Sequence, residues 1–197
     1  RMAPTRTLVI PMYREASRIG STLAALSTST LNDPGTEILL VDDGSDDGTP
    51  GIAKGVAAEL GLVVTVLELG VNEGKGAAVR AGMLAARGDA VAFADADLAT
   101  DTTDIDACFR RVEAGPDQVV FATRSHPDST ITVAAPRHRV LIGRTYNAFL
   151  RGLGLTDSLD TQCGLKGMTA AAAAAVFPPL RTKGFAFDIE VLARARQ

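Results

Sequence analysis

The chain has 197 residues, 46% of them hydrophobic and 22% charged, with a net charge of −3 at neutral pH. That length suits one domain with a sizeable core, and the composition is that of an ordinary globular protein. The acidic balance argues against a general nucleic-acid binder. Cys108 and Cys163 are the two cysteines and form no CxxC. Neither a disulfide framework nor a zinc site is expected, and a reducing compartment is the natural reading. No stretch reaches the roughly 20 apolar residues of a membrane span. The run from Thr169 to Leu180 is short and broken by Pro178-Pro179, and the start does not read as a signal peptide. The closing Ala-Arg-Ala-Arg-Gln carries no helix stop signal, so the chain reads as part of a longer one.

Taken in order, Thr7 to Ile10 reads as a buried strand ended by Pro11, and Glu15 to Leu26 has apolar residues at helical spacing. Glu37 to Val41 is a second strand, running into Asp42-Asp43-Gly44-Ser45. Thr49 is a good N-cap and Pro50 a good first helical residue for a helix that reaches Leu60 and stops at Gly61. Leu62 to Leu67 is a third strand, Gly70 to Gly76 a glycine-rich loop, and Lys75 to Arg87 a helix. A strand at Ala90–Ala94, a helix from Thr103 to Glu113 and a strand from Gln118 to Ala122 follow. Alternating helices and unalternated apolar strands predict a mostly parallel sheet with helices on both faces. Beyond Arg124 the pattern changes: a polar loop, a basic helix from Arg137 to Leu153, a polar strand or turn at Asp160–Lys166, a short helix from Ala170 and another from Phe185.

In such sheets ligands sit beyond the carboxyl ends of the strands. Tyr13, Glu15, Asp42, Asp43, Asp95 and Asp97 all follow such ends. Asp95 and Asp97 stand at i and i+2, on one face of an extended chain. Two close carboxylates stay ionised most easily around a cation, and Mg²⁺ held by carboxylates and phosphate oxygens fits. Asp42 and Asp43 can accept from a nucleobase N–H or a ribose hydroxyl. The loop Gly70–Gly76 is neither a Walker loop nor a dinucleotide fingerprint, because its glycine spacing is wrong for both. Its simpler reading is a helix N-terminus with free N–H groups beside Lys75, suited to an anion.

The chain resembles inverting glycosyltransferases of family 2, which have the GT-A (Rossmann-like) fold, and within them the dolichyl-phosphate and polyprenyl-phosphate hexosyltransferases. The matching stretches are Val9–Glu15, Val41–Thr49, Asn72–Gly82, Asp95-Ala96-Asp97, Asp160–Lys166 and Phe185–Glu190. The resemblance implies a single α/β domain: a nucleotide-sugar-binding half over 1–123 and an acceptor-binding half over 124–197. Pro11, Tyr13, Glu15, Asp42 and Asp43 would hold the nucleoside. Asp95 and Asp97, flanking Ala96, would hold Mg²⁺ or Mn²⁺ against the diphosphate, with Lys75 near the phosphates and Gln162 also on the donor side.

The Asp160–Lys166 stretch resembles the glucosyl branch, which implies UDP-glucose as donor. Three positions depart from the family pattern: Arg14 stands where Asn is usual, Leu98 where the glucosyl branch has Gly, and Ala99 where the mannosyl branch has Gln. The implied acceptor is a polyprenyl phosphate. Its oxygen is largely ionised at neutral pH, because the second phosphate pKa is about 6, so it needs no strong general base. Arg124 and Arg139 are expected to bind that phosphate, since a planar guanidinium grips it bidentately. Catalysis would then rest on Asp97, Arg124 and Arg139. The stretch 137–151 has no acidic residue and interleaved apolar ones, so it reads as a helix lying on an anionic membrane surface. This places the protein in the cytoplasm, at the cytoplasmic face of a membrane. The alternatives are a family 2 transferase with a soluble sugar or phosphosugar acceptor, or a nucleotide-sugar-binding protein without activity.

Overall fold

The computed structural model describes residues 3–115, 119–123 and 163–196. The strands are β1 (Arg6–Met12), β2 (Thr36–Asp42), β3 (Val64–Glu68), β4 (Ala90–Phe93), β5 (Val119–Phe121) and β6 (Lys166–Thr169). They form one sheet in the order β3-β2-β1-β4-β6-β5. The first four run parallel, as their unalternated apolar sequences predict. β6 lies between β4 and β5 and is antiparallel to both. Of the expected strand or turn at 160–166, residues 160–162 lie outside the described residues, Gly164 is in a bend, and a strand begins at Lys166. Lys166-Gly167-Met168-Thr169 carries no apolar run, yet its first three residues are buried, so its strand character comes from its neighbours and not from propensity.

Helices cover both faces: α1 (Ile19–Ser27), α2 (Thr49–Glu59), α3 (Lys75–Ala85), α4 (Thr102–Glu113), α5 (Ala170–Val176) and α6 (Phe187–Ala195). On β1, Leu8, Ile10 and Met12 face a core with α1, α2 and α4, while Val9 faces a second core with α3, α5 and α6. The described parts of the 1–123 and 124–197 segments share this one sheet, because β6 pairs with β4.

Several boundaries move for identifiable reasons. β1 continues through Pro11 to Met12. Val9 O accepts from Ala94 N at 3.0 Å, so Val9 and, two residues on, Pro11 turn their backbone groups toward β4. β4 pairs with β1 only as far as Val9, so the missing N–H of Pro11 costs no ladder bond. α1 starts at Ile19 and not Glu15, after a turn in which Arg18 N and Ile19 N both donate to Glu15 O. Thr49 is the first residue of α2 and not its cap; Gly48 takes the cap position with φ +81°. The Thr49 hydroxyl donates to Asp47 Oδ1 at 2.6 Å and accepts from Glu15 N, tying the end of β1 to the start of α2.

α3 crosses β1 and β2 at close range. A Cβ on Gly82 would lie 2.3 Å from Val9 Cγ1 and 2.9 Å from Val41 Cγ2. Gly82→Ala is expected to lower the unfolding free energy by about 1–3 kcal/mol, the usual cost of overpacking a core. Denaturant titration checks this, and an unchanged midpoint would show that α3 can lift off the sheet freely.

Candidate active site at the carboxyl edge of the sheet

The carboxyl ends of β1, β2 and β4 and the loop after β3 surround a cavity of about 410 Å³. Pro11, Tyr13, Glu15, Asp43, Lys75, Asp95, Ala96 and Asp97 line it: Tyr13, Glu15, Asp43, Asp95 and Asp97 from beyond strand ends, Pro11 from within β1 and Lys75 from the start of α3. Arg18, Asn72 and Phe185 line it too and were not among the expected site residues. The trace Arg18 leaves in the sequence is its i, i+3 relation to Glu15, whose carboxylate it pairs with at 2.7 Å. Gln162, Arg124 and Arg139, with the expected basic helix at 137–151, lie outside the described residues.

The two carboxylates after β2 are differently employed. Asp43 is buried, and its two oxygens accept from Glu73 N and Gly74 N, each at 2.8 Å. It fixes the glycine-rich loop and, through it, the start of α3. Asp42 is buried as well and is not part of the cavity wall; Oδ2 accepts from Ser45 N, and Oδ1 has no hydrogen-bond partner. Ahead of them Arg14 adopts φ +53° and pairs with Asp46 at 2.6 Å, its guanidinium 5.3 Å from the Tyr13 ring.

After β4 the chain turns sharply. Leu98 has φ +45°, the left-handed conformation that glycine adopts without cost, at the position where the family pattern has Gly. Ala96 is buried and its carbonyl accepts the Thr22 hydroxyl at 2.5 Å, which leaves Asp95 and Asp97 on either side of it along the cavity wall. Asp97 Oδ1 accepts from Ala99 N. Asp95 Oδ1 is buried and lies 2.5 Å from Lys75 Nζ, but without the angles of a hydrogen bond, so it is ion-paired yet lacks a hydrogen-bond donor.

The donor set tells which metal the site suits. Among the described residues no three His, Cys, Asp or Glu side chains converge on one point. Asp95 and Asp97 supply hard oxygens, one of them short of a donor. That fits Mg²⁺ or Mn²⁺ completing its shell with phosphate oxygens and water, and does not fit an all-protein zinc site. Both cysteines are buried, and burial pushes the Cys108 thiol up to about 12, so it is not poised as a nucleophile.

The start of α3 differs from the expected anion cradle. Its first free N–H groups are already taken: Gly76 N and Ala77 N donate to Lys183 O at 2.7 and 3.2 Å. A backbone carbonyl carries partial negative charge and fills the place an anion would take. Lys183 Nζ also pairs with Glu73 at 2.5 Å. The segment 181–185 is held from below by Glu190 of α6, whose carboxylate accepts from Arg181 N and Thr182 N and pairs with Arg194. Lys75 is therefore the cation this helix start presents, its ammonium 5.9 Å from the Phe185 ring and 6.0 Å from that of Phe187.

Partial burial alone would raise the Glu190 carboxyl, but its bonds from Thr182, Arg194 and Arg181 outweigh that and hold it at about 2. A depressed carboxyl stabilises the fold above its unfolded value of about 4.3 and loses that contribution as pH falls toward 2. The melting-temperature gap between wild type and Glu190→Gln should be largest near pH 7 and close between about pH 4 and 2, read by circular dichroism. A gap independent of pH would show that the carboxylate's charge is not what holds the segment.

Comparison with known proteins gives the site its context. The chain is 33% identical over 198 residues to the dolichyl-phosphate beta-glucosyltransferase of Drosophila melanogaster, covering 94% of this chain and 61% of that protein. It is 32% identical to the Homo sapiens protein of the same name, covering 96% and 63%. The chain thus spans about three fifths of the length of these relatives. Among solved structures, the glucosyl-3-phosphoglycerate synthase of Mycobacterium tuberculosis with Mn²⁺, UDP and phosphoglyceric acid superposes with a TM-score of 0.71 at 22% identity, over 96% of this chain and 63% of that one. A mannosyltransferase of Pyrobaculum calidifontis in complex with GDP-Man and Mn²⁺ gives a TM-score of 0.60 at 22% identity, over 88% and 46%. These two share the fold, a GT-A glycosyltransferase sheet. The sequence model described as glycosyl transferase family 2 matches residues 7–175, and with the relatives' identities it establishes that this chain belongs to glycosyl transferase family 2.

Proposed function

We propose that the chain carries the donor site of an inverting hexosyltransferase that moves glucose from UDP-glucose to a dolichyl or other polyprenyl phosphate. The observation that carries this reading is the single cavity in which Asp95, Asp97 and Lys75 meet below Tyr13 and Glu15. Its support is a resemblance to dolichyl-phosphate beta-glucosyltransferases over 94–97% of the chain.

On this reading Tyr13, Glu15 and the Asp43-held loop bound the nucleoside end. Asp95 and Asp97 are the residues that would hold Mg²⁺ or Mn²⁺. When bound, such an ion supplies positive charge to the leaving diphosphate. Lys75 adds a second cation beside Asp95, placed to reach a phosphate oxygen. An acceptor phosphate oxygen attacks the anomeric carbon from the side opposite the diphosphate; the carbon–oxygen bond to the nucleotide breaks, and its electron pair stays on the diphosphate. Two anions must approach each other in that step, which is the role proposed for Arg124 and Arg139. Among the described residues no helix is long and apolar enough to cross a membrane. The basic, apolar-interleaved sequence of 137–151 supports access to a lipid phosphate at a membrane surface, which we assign to the cytoplasmic face.

A transfer assay separates the acceptors: UDP-glucose and GDP-mannose, each with dolichyl phosphate, a shorter polyprenyl phosphate and a soluble phosphosugar. Glucosylated lipid phosphate is the expected product. Transfer only to the soluble acceptor would overturn the lipid assignment, and tight GDP with no UDP binding would overturn the donor.

Asp97→Asn should leave the melting temperature close to wild type, because the residue sits beyond a strand end. Turnover should fall about a hundredfold or more, the scale of losing one electrostatic group at a leaving anion. Wild-type turnover in added Mn²⁺ would falsify the assignment. Arg139→Ala should weaken acceptor use about ten- to a hundredfold with donor affinity unchanged, and Arg139→Lys should rescue little. Unchanged lipid-phosphate kinetics in both would return that arginine to a solvated surface.

A further inference from the structure

Lys166 and Asp188 are buried, and Lys166 Nζ donates to Asp188 Oδ1 at 2.6 Å and to Cys163 O at 2.8 Å. The same ammonium lies 5.3 Å from the centre of the Phe93 ring, the last residue of β4 before the turn to Asp95. One residue after Cys163, the backbone of Gly164 runs directly over the Asp95 carboxylate: a Cβ there would lie 2.2 Å from Oδ2 and 2.5 Å from Cγ. A buried ion pair is poor value for stability, since well-packed apolar residues of similar volume usually serve as well or better. Its retention here calls for another role, and the contacts supply one.

We propose that Lys166 and Asp188 are positioning residues for Asp95: α6 holds the ammonium, the ammonium holds the Cys163 carbonyl, and the Cys163–Gly164 peptide presses the Asp95 carboxylate into its metal-facing position. Asp95 lies beyond the β4 ladder; Lys75 pairs with its Oδ1, and the Gly164 peptide bounds the carboxylate sterically at Oδ2. Only glycine admits that approach, and one ammonium bonds the Cys163 carbonyl and the Asp188 carboxylate together from within the core. The inference rests on the reading of Asp95 as a metal-holding residue.

The test measures Mn²⁺ binding in the presence of UDP, by loss of the free-ion electron paramagnetic resonance signal, beside thermal melting. The double variant Lys166→Met/Asp188→Leu removes both charges and keeps apolar volume, so it should melt near wild type. Its Mn²⁺ affinity should fall about ten- to a hundredfold, as for other residues that orient a ligand. Gly164→Ala should lower Mn²⁺ affinity in the same direction, by adding a methyl group against Asp95. A purely structural pair would shift melting and leave Mn²⁺ affinity alone. A folded double variant with wild-type Mn²⁺ affinity, while Asp95→Asn loses it, overturns the positioning role and leaves the metal reading standing. Wild-type affinity in Asp95→Asn overturns the metal reading and this inference with it. Should the double variant fail to fold, unchanged Mn²⁺ affinity in Gly164→Ala overturns the positioning role by itself.

Discussion

The constraint from which the site follows is the crowding of carboxylates at one edge of a buried sheet. Asp42 ends β2, Asp43 follows it, and Asp95 and Asp97 follow β4 on the other side of β1; three of them line one cavity while Asp42 is buried behind it. Like charges brought together at the margin of a low-dielectric core repel strongly unless each is answered. Each is answered differently. Asp43 takes two backbone N–H groups, Asp42 takes one, Asp97 takes one, and Asp95 takes the Lys75 ammonium. Two oxygens lack a hydrogen bond, Oδ1 of Asp42 behind the cavity and Oδ1 of Asp95 in its wall, and the second sits beside the Lys75 ammonium. Two hard carboxylates in one cavity wall beside an ammonium suit a cation and the anion that accompanies it.

That arrangement depends on elements far apart in the sequence. The glycine-rich loop is set by Asp43 from β2, and the start of α3 is capped by a carbonyl from residue 183, over a hundred positions later. The 181–185 segment is in turn fixed by Glu190 of α6. Lys75 is thereby confined between Asp95 and the rings of Phe185 and Phe187, where its charge serves the cavity. Among the described residues the two non-glycine residues with positive φ, Arg14 and Leu98, lie on the turns that leave β1 and β4 for the cavity. Local backbone cost is concentrated where the chain must aim side chains, as happens at sites whose surroundings over-determine them.

Much of this edge was legible from the residues. Alternating helices and apolar strands specify a parallel sheet, a parallel sheet specifies a carboxyl edge, and the residues after Ile10, Val41 and Ala94 are then neighbours whatever their separation. The misreadings share a cause. Pro11 reads as a strand terminator only if both edges of β1 are paired, Thr49 reads as a cap only if Gly48 cannot take a left-handed conformation, and the α3 N-terminus reads as an anion cradle only if nothing else arrives there. For Pro11 and the α3 N-terminus the deciding atoms belong to another element; for Thr49 the backbone of the preceding glycine decides.

The sequence by itself determined a mostly parallel sheet and the gathering of Tyr13, Glu15, Asp43, Asp95 and Asp97 at its carboxyl edge, because strand periodicity acts over short stretches of chain. Only the tertiary structure decided the insertion of β6 between β4 and β5, the burial of Lys166 against Asp188 and the contact of Gly164 with Asp95. Lys166-Gly167-Met168-Thr169 has no apolar pattern to announce a central strand. A lysine reads as exposed until a distant carboxylate and carbonyl are shown to receive its charge, and those partners come together only when the core closes.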